Sequence, residues 1–433
     1  MRINRNEIGE WLLLLFLFLL PLQTRYIFRW GTLAGGPWEY GTLGVYITEC
    51  VLLLVCVFRW ADLRRSFQTM RSVWIAVCLA LAYAGISLAW AADVWVAVRA
   101  EVLLVEAWLI FVLVKEFSAV KKMLTAFVLG VFTQAFFGFV QVVIQWAPAF
   151  SWLGMSEHDP FLPGASVVMV RGERFLRAYG GLPHPNILGG FIAVALGCII
   201  WIRMHARRPR TRLLWVLAAT FLMVVLFFTF SRTAWIALLA PFGYLLYLAV
   251  RSSRLIPRSL YTSIWREAMV VLGIFLITFT VGGIAFHEAF TDRVAGTTTL
   301  ETRSRQERIT GMQDALVLIR EQPIFGVGIG NYTVALAERF PNRSWWLYQP
   351  VHNVPLLIFA ELGLIGFVLL MVVLACTFRK LLTTHYSLQT IFLLPLLAMG
   401  LLDHYLWSLS AGLFLAAFAG GISCSDKFTT EIG

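Results

Sequence analysis

Long apolar runs separated by polar connections follow one another along almost the whole chain. They lie roughly at 9–22, 43–59, 73–92, 97–114, 123–146, 187–202, 214–230, 234–250, 268–286, 354–376, 389–402 and 404–423. An apolar run of about 20 residues is long enough to cross the hydrocarbon core of a bilayer as a helix. The pattern therefore predicts an all-α polytopic membrane protein with about twelve transmembrane helices, forming a single membrane domain over residues 1–433.

Two longer polar segments interrupt this pattern. The first, 147–186, is rich in Gly and Pro, and the second, 286–352, is the longest polar stretch of the chain. Within the second segment, 303–321 and about 331–339 have helical patterns, and Trp345, Trp346 and Tyr348 are typical of an interfacial anchor. The sequence predicts a long, partly helical loop that carries part of a functional site.

The phase of the 303–321 helix predicts which of its side chains pack inward. Ile309, Met312, Leu316 and Ile319 recur at helical spacing and form one apolar stripe. At 100° per residue, Arg305 falls inside this stripe and Arg308 at its edge, whereas Arg303 and Asp314 point away. We therefore expect two guanidiniums on the side that packs against the protein or the membrane.

Composition supports the membrane assignment and orients the chain. Hydrophobic residues make up 59% of the sequence and charged residues 14%, which is too little charge to cover a soluble protein. Most of the 35 Lys and Arg residues, among them Arg2, Arg5 and Arg254, fall in short connections on one side. By the positive-inside rule both termini are cytoplasmic, and the segments 147–186 and 286–352 lie outside.

The net charge of +11 is explained by this orientation. The clusters of Lys and Arg along the chain are short and scattered, and no nucleic-acid-binding module accompanies them. No nucleic-acid partner is therefore expected. The six cysteines show neither a disulfide framework nor metal-ligand spacing. The sequence gives no indication of a cofactor or a metal ion.

His352 lies where the 286–352 segment meets an apolar run, with Asn353 directly after it. A neutral imidazole there can accept a proton at pH 7. The alternative is a histidine that merely begins a helix.

Several arginines accompany this histidine on the outer side. Ser231-Arg232 forms a very short link between two apolar runs, and Arg232 either extends to the interface or binds an anion. Together with Arg177, Arg305 and Arg308 it would supply planar donors that suit a pyrophosphate. His184 and Asn186, on either side of Pro185, are first read as a rigid corner that caps a helix.

These residues occur in a pattern that resembles the bacterial O-antigen ligases and O-antigen polymerases, with the related protein O-oligosaccharyltransferases. The matching elements are His352-Asn353 followed after nine residues by Gly363-Leu-Ile-Gly366, Ser231-Arg232, Arg177…Gly180…His184-Pro-Asn186, and Arg308-Ile-Thr-Gly-Met312 with Pro323-Ile-Phe-Gly-Val-Gly-Ile-Gly-Asn331. The family often has Trp where Met312 stands. The resemblance covers about residues 175–420.

The resemblance implies a fold similar to that of the membrane glycosyltransferases of the C type. It also implies a metal-independent, inverting transfer at the periplasmic face of the bacterial inner membrane. The donor would be a glycan on undecaprenyl pyrophosphate. The acceptor would be a sugar hydroxyl, on lipid A–core for a ligase or on another repeat unit for a polymerase.

In this interpretation His352 is the general base, and Arg232, Arg308, Arg177 and Arg305 bind the pyrophosphate. Asn353, His184, Asn186, Ser231, Gly363 and Gly366 support them. The sequence does not separate ligase from polymerase, and we lean towards the ligase. A lipid-linked glycan transporter is a more distant alternative, because Glu49, Glu106 and Glu361 lie in apolar runs.

Overall fold

The structure is a computed structural model that describes residues 5–251, 258–296, 298–383 and 389–427. Arg2 and Arg254, which entered the topology prediction, lie outside the described residues. The described chain is mostly helical. Its helices are α1 (Arg5–Leu19), α2 (Ile47–Phe58), α3 (Trp60–Thr69), α4 (Arg71–Ile86), α5 (Val94–Glu116), α6 (Val120–Ile144), α7 (Pro185–Met204), α8 (Pro209–Phe228), α9 (Arg232–Arg251), α10 (Arg258–Ala285), α11 (His287–Ala295), α12 (Thr299–Glu321), α13 (Tyr332–Arg339), α14 (Val354–Thr383), α15 (Thr390–Leu402), α16 (Tyr405–Ser408) and α17 (Ser410–Ser423).

Each predicted apolar run contains a helix, and the last run is divided between α16 and α17. In the described chain six helical stretches are long and apolar enough to cross a membrane: Arg71–Ala89, Val120–Ile144, Pro185–Met204, Pro209–Phe228, Thr262–Ala285 and Val354–Arg379. The predicted class, a helical membrane protein, agrees with this. The count of about twelve spans stays a prediction, because helices such as α2 and α15 are short, with 12 and 13 residues.

Short antiparallel strand pairs lie in the connections, where an all-α protein was predicted. They are β1 (Arg25–Arg29) with β4 (Leu43–Tyr46), β2 (Thr32–Leu33) with β3 (Gly36–Pro37), and β5 (Val167–Val170) with β6 (Glu173–Leu176). The β5–β6 hairpin turns at Arg171 and Gly172, whose φ angles are +51° and +78°. Two successive residues with positive φ are typical of a tight hairpin turn. The all-α prediction holds for the bulk of the chain but missed these hairpins.

The helix α7 forms the centre of the helical core. It packs against α6, α8 and α9, and 89% of its apolar window is buried. Gly189 lies against Ala234 of α9, and Gly190 lies against the Tyr405 hydroxyl, so these neighbours approach the α7 backbone closely. The residues at the N-terminus of α7 are therefore held by the most enclosed of the six span-length helices.

Hydrogen bonds join one set of connections to one another. The α1–α2 connection bonds to the α4–α5 and α6–α7 connections, the α6–α7 connection bonds to α11 and to the α8–α9 link, and the residue before α14 bonds to the break after α15. We call this side of the molecule the loop end.

The 286–352 segment contains both helices that the sequence predicts. α12 covers the predicted 303–321 and begins one turn earlier, because the Thr298 hydroxyl accepts a hydrogen bond from the Glu301 N–H (3.4 Å) and caps the helix. The short helix predicted at about 331–339 is α13.

Of the predicted apolar stripe on α12, only Ile319 is buried within the protein. Ile309, Met312 and Leu316 are 44%, 41% and 43% exposed. Asp314, predicted to point away, is buried and forms a two-point ion pair with Arg343 at 2.6 and 3.0 Å. Hydrophobic periodicity does not predict this orientation of α12, because in such a pattern every carboxylate is treated as exposed, including one that is buried in an ion pair.

A glycine turn anchors the segment to α14. Gly326 and Gly363 both have positive φ, +71° and +63°, and a Cβ on Gly326 would lie 2.5 Å from the Gly363 nitrogen. Gly363 also interrupts the helical geometry of α14. Gly366, nearby on α14, packs against the Tyr83 ring. These glycines allow close backbone packing.

Candidate active site

The loop end encloses a cavity of about 790 Å³, which we call the large cavity. Its walls come from the β5–β6 hairpin, the corner before α7, the start of α9, the helices α11 and α12, and the segment before α14. Six of the residues selected from the sequence line it: Arg177, His184, Asn186, Arg232, Arg308 and His352. The fold thus brings together residues that are far apart in the chain.

Positive charge is in excess around the large cavity. Its lining holds six arginines, Arg174, Arg177, Arg232, Arg293, Arg303 and Arg308, and two glutamates, Glu301 and Glu307. Arg232 and Arg293 share one carboxylate, since both form ion pairs with Glu301, the Arg232 contact at 2.9 Å. An anion bound here would gain from the surplus of guanidiniums.

The electrostatics of Arg177 and Arg293 agree with this surplus. Burial lowers the pKa of Arg177, and the guanidiniums of Arg293 and Arg232 lower it further. Burial likewise lowers the pKa of Arg293, with Arg232 and Arg308 acting in the same direction. These cations repel one another in a partly desolvated space, so a bound anion would stabilise them.

His352 forms a hydrogen bond through Nδ1 to Oδ1 of Asp403 at 3.1 Å. Asp403 is buried and also accepts hydrogen bonds from the Asn186 side chain (2.8 Å) and the His404 N–H (2.9 Å). Burial alone would raise the pKa of Asp403, but the hydrogen bond with His352 and the neighbouring imidazoles hold it below its ordinary value. An ionised carboxylate only accepts, so Nδ1 of His352 donates, and in the neutral ring Nε2 keeps its lone pair.

A chain of hydrogen bonds connects Asp403 to the arginine cluster. Arg177 donates through Nε to the Thr229 carbonyl (2.7 Å) and through Nη2 to Oδ1 of Asn186 (2.8 Å). Asn186 in turn donates to Asp403. The side chain of Asn186 therefore links the buried guanidinium to the carboxylate that orients His352.

His184 caps α7, as the sequence predicted for this corner. Its Nδ1 accepts a hydrogen bond from the Asn186 N–H at 3.1 Å, and its Nε2 lies 2.9 Å from the Ser166 hydroxyl. Burial and the charge of Arg177 lower the pKa of His184 well below its ordinary value. A neutral ring is also what the cap requires, because a protonated Nδ1 cannot accept.

Three side chains hold the break between α15 and α16. The Asn353 amide donates to the Leu401 carbonyl, and Arg308 donates to the Leu402 carbonyl, both at 3.1 Å. His352 then bonds to Asp403. Asn353 also caps α14. The predicted supporting residue Asn353 thus ties the start of α14, directly after His352, to the end of α15.

Some predicted residues lie outside the cavity lining. Arg305 is exposed and donates to the Gly296 carbonyl at 2.8 Å, and its role as a pyrophosphate ligand stays a prediction. Ser231 is buried and accepts a hydrogen bond from the Ala234 N–H at 3.3 Å, at the start of α9. Gly363 and Gly366 lie on α14 and serve its packing.

Four residues of this site were not predicted from the sequence: Asp403, His404, Glu301 and Arg293. Asp403-His404 is a polar pair where the run 389–402 meets the run 404–423, and it is a usable signal, since ionisable groups at such positions are costly and often functional. The ligand atoms of His352, Asp403 and His404 lie within 4.8 Å of one another, a group that could hold a metal ion. The expectation that no metal takes part stays a prediction.

The fold and the large cavity define a helical membrane protein with an arginine-lined polar site at one end. Residues 217–371 match the family model described as O-antigen ligase, and this match supports the O-antigen ligase and polymerase superfamily. The matched segment includes Arg232, Arg308 and His352. A search of curated proteins found no match. The family supports a ligase-type or polymerase-type function in broad terms.

Proposed function

We propose that the protein transfers a glycan from undecaprenyl pyrophosphate to a sugar hydroxyl at the periplasmic face of the bacterial inner membrane. The transfer inverts the anomeric centre and uses no metal ion, and lipid A–core is the acceptor. The observation that carries this proposal is the position of His352. Its ring is held by the buried Asp403 and lines a cavity with six arginines.

The proposed step begins at the acceptor hydroxyl. Its oxygen attacks the anomeric carbon of the donor glycan, and His352 Nε2 takes the hydroxyl proton. The bond between the anomeric carbon and the pyrophosphate oxygen breaks, and its electron pair leaves with undecaprenyl pyrophosphate. Asp403 stabilises the imidazolium that forms, as the carboxylate of a catalytic triad does. Such a base contributes about 10²–10⁴-fold to the rate.

The arginines serve the leaving group. Negative charge grows on the pyrophosphate as the glycosidic bond breaks, and preorganised donors aimed at that charge lower the barrier. Arg177, Arg232 and Arg308 supply these donors from three different elements. Arg293, which the sequence analysis did not select, is a fourth. Guanidiniums thereby provide the charge that a divalent ion gives in other transferases.

The direct test is His352→Ala in the purified full-length protein with lipid-linked glycan donor and lipid A–core acceptor. Transfer should fall about 10²–10⁴-fold, while membrane insertion and elution as a monodisperse species stay unchanged. His287→Ala is the matched control, because His287 is exposed and does not line the large cavity. Full turnover of His352→Ala would remove the base from the mechanism.

Two further experiments, one with a chelator and one with a different acceptor, use the same assay. Turnover should persist after EDTA treatment, and a loss that an added divalent ion restores would contradict the metal-independent mechanism. Replacing lipid A–core by a second lipid-linked repeat unit tests the polymerase. Chain growth with that acceptor and none with lipid A–core would assign polymerase activity in place of ligation.

A further inference from the structure

A second cavity of about 380 Å³ lies beside the large cavity, and we call it the small cavity. It is formed by one face of α12 and by the segment before α14. His352, Trp346, Arg303 and Glu307 line both cavities, so the two spaces share a wall and His352 belongs to that wall. A group in the small cavity can therefore approach the same imidazole as a group in the large cavity.

The two cavities differ in charge. In the small cavity each arginine has a carboxylate partner: Arg343 pairs with Asp314 at 2.6 Å, and Arg303 pairs with Glu307 at 2.9 Å. The large cavity instead has six arginines against two glutamates. A phosphate group would gain little electrostatic binding energy in a space whose arginines are already paired with carboxylates. The binding of a neutral polar ligand does not depend on an unpaired cation.

The remaining lining of the small cavity suits a sugar ring. Gln306 and Thr310 stand one helical turn apart on α12, with 3.5 Å between the amide nitrogen and the hydroxyl. This contact is long, so both groups keep capacity for a ligand. The Gln349 amide also lines this cavity, where its oxygen accepts a hydrogen bond from the Tyr40 hydroxyl at 3.1 Å and its nitrogen donates to the Trp346 carbonyl at 3.3 Å. The Trp346 indole is 47% exposed. Planar amides bind paired hydroxyls, and an indole face covers the apolar C–H face of a pyranose.

We propose that the small cavity binds the acceptor as a neutral pyranose and presents its hydroxyl to His352, while the large cavity holds the donor pyrophosphate. This assignment rests on the proposed function and adds to it the acceptor subsite and the class of sugar. The arrangement also fits inversion of the anomeric centre. The acceptor hydroxyl would approach from the small cavity and the pyrophosphate would leave into the large cavity, with His352 in the wall between them.

The test measures the two substrates separately in the full-length protein. In Gln306→Ala and in Thr310→Val the KM for the lipid A–core acceptor should rise about 5–10-fold, the effect of losing one hydrogen bond of roughly 1–1.5 kcal/mol. The KM for the lipid-linked donor should stay within twofold of the wild type. Gln306 is exposed and Thr310 is half-buried, so we expect both variants to fold, which thermal unfolding checks.

Gln313→Ala is the matched control. Gln313 is the same residue type on the same helix, is exposed, and lines neither cavity, so both KM values should equal those of the wild type. A rise in donor KM for Gln306→Ala, or behaviour identical to Gln313→Ala, would overturn the subsite while transfer by the wild type still stands. If the wild type transfers glycan to neither acceptor, the proposed function fails and the subsite fails with it.

Discussion

At the scale of single residues, Arg232 is held beside the large cavity by contacts to two neighbours. Its guanidinium pairs with Glu301 at 2.9 Å and donates to the Arg293 carbonyl at 3.1 Å, while Glu301 also pairs with Arg293. One carboxylate thus holds two guanidiniums beside the cavity. Because Arg presents a rigid fork, a pyrophosphate can bind it at two points while the pair with Glu301 keeps the fork in place.

Arg232→Lys should therefore not behave as a conservative change. Lysine keeps the charge but loses the fork, and one charge-assisted hydrogen bond is worth about 1.5–3 kcal/mol, so kcat/KM for the donor should fall about 10–100-fold. Kinetics with varied donor and saturating acceptor measure this. Arg320→Lys, at an exposed position in the last turn of α12, is the control. Wild-type kinetics in Arg232→Lys would exclude a two-point contact.

At the scale of elements, the N-terminus of α7 depends on a neutral histidine. Its folded-state pKa is lowered by burial and by Arg177, whereas an unfolded chain has a histidine pKa of about 6.5. The unfolded state therefore binds the proton first as the pH falls. The stabilisation from His184 is complete above about pH 6.5 and declines as the pH drops below it.

Because the stabilisation from His184 declines at low pH, the variant His184→Asn should differ measurably from the wild type. Asparagine is a good N-cap and does not titrate, so the variant should lose less thermal stability than the wild type between about pH 7 and pH 5. Tryptophan fluorescence during heating measures both unfolding temperatures. His287→Asn, at an exposed position of α11, should follow the wild type. Equal pH dependence in His184→Asn and the wild type would show that His184 is not held neutral.

Elements also show where sequence reasoning succeeded and where it failed. The bounds of α12 and α13 and the cap at His184 followed from local patterns, because caps and helical periods act over a few residues. The orientation of α12 did not, since the Asp314–Arg343 pair joins groups 29 positions apart. Asp403 was missed for the same reason: its role depends on His352 and Asn186, which only the fold brings to it.

At the scale of the whole molecule, the charged side chains of the two ends have different surroundings. At the loop end they line cavities. At the opposite end, basic groups bond within the fold: Arg203 pairs with Glu267 at 2.7 Å, and Lys427 donates to the Glu116 carbonyl. Arg5 donates to the Val57 carbonyl at 2.9 Å. The positive-inside rule assigns such a basic end to the cytoplasm, and a lipid-linked glycan would then meet His352 outside.

Cysteine accessibility in intact cells tests this orientation. In a background without the six native cysteines, Asn342→Cys lies in the exposed turn after α13, and Arg210→Cys lies at the exposed start of α8. A membrane-impermeant maleimide should label Asn342→Cys in intact cells and Arg210→Cys only after the inner membrane is opened. The reverse pattern would place both cavities in the cytoplasm, where the proposed periplasmic donor is out of reach, and the transfer mechanism would fail with the topology.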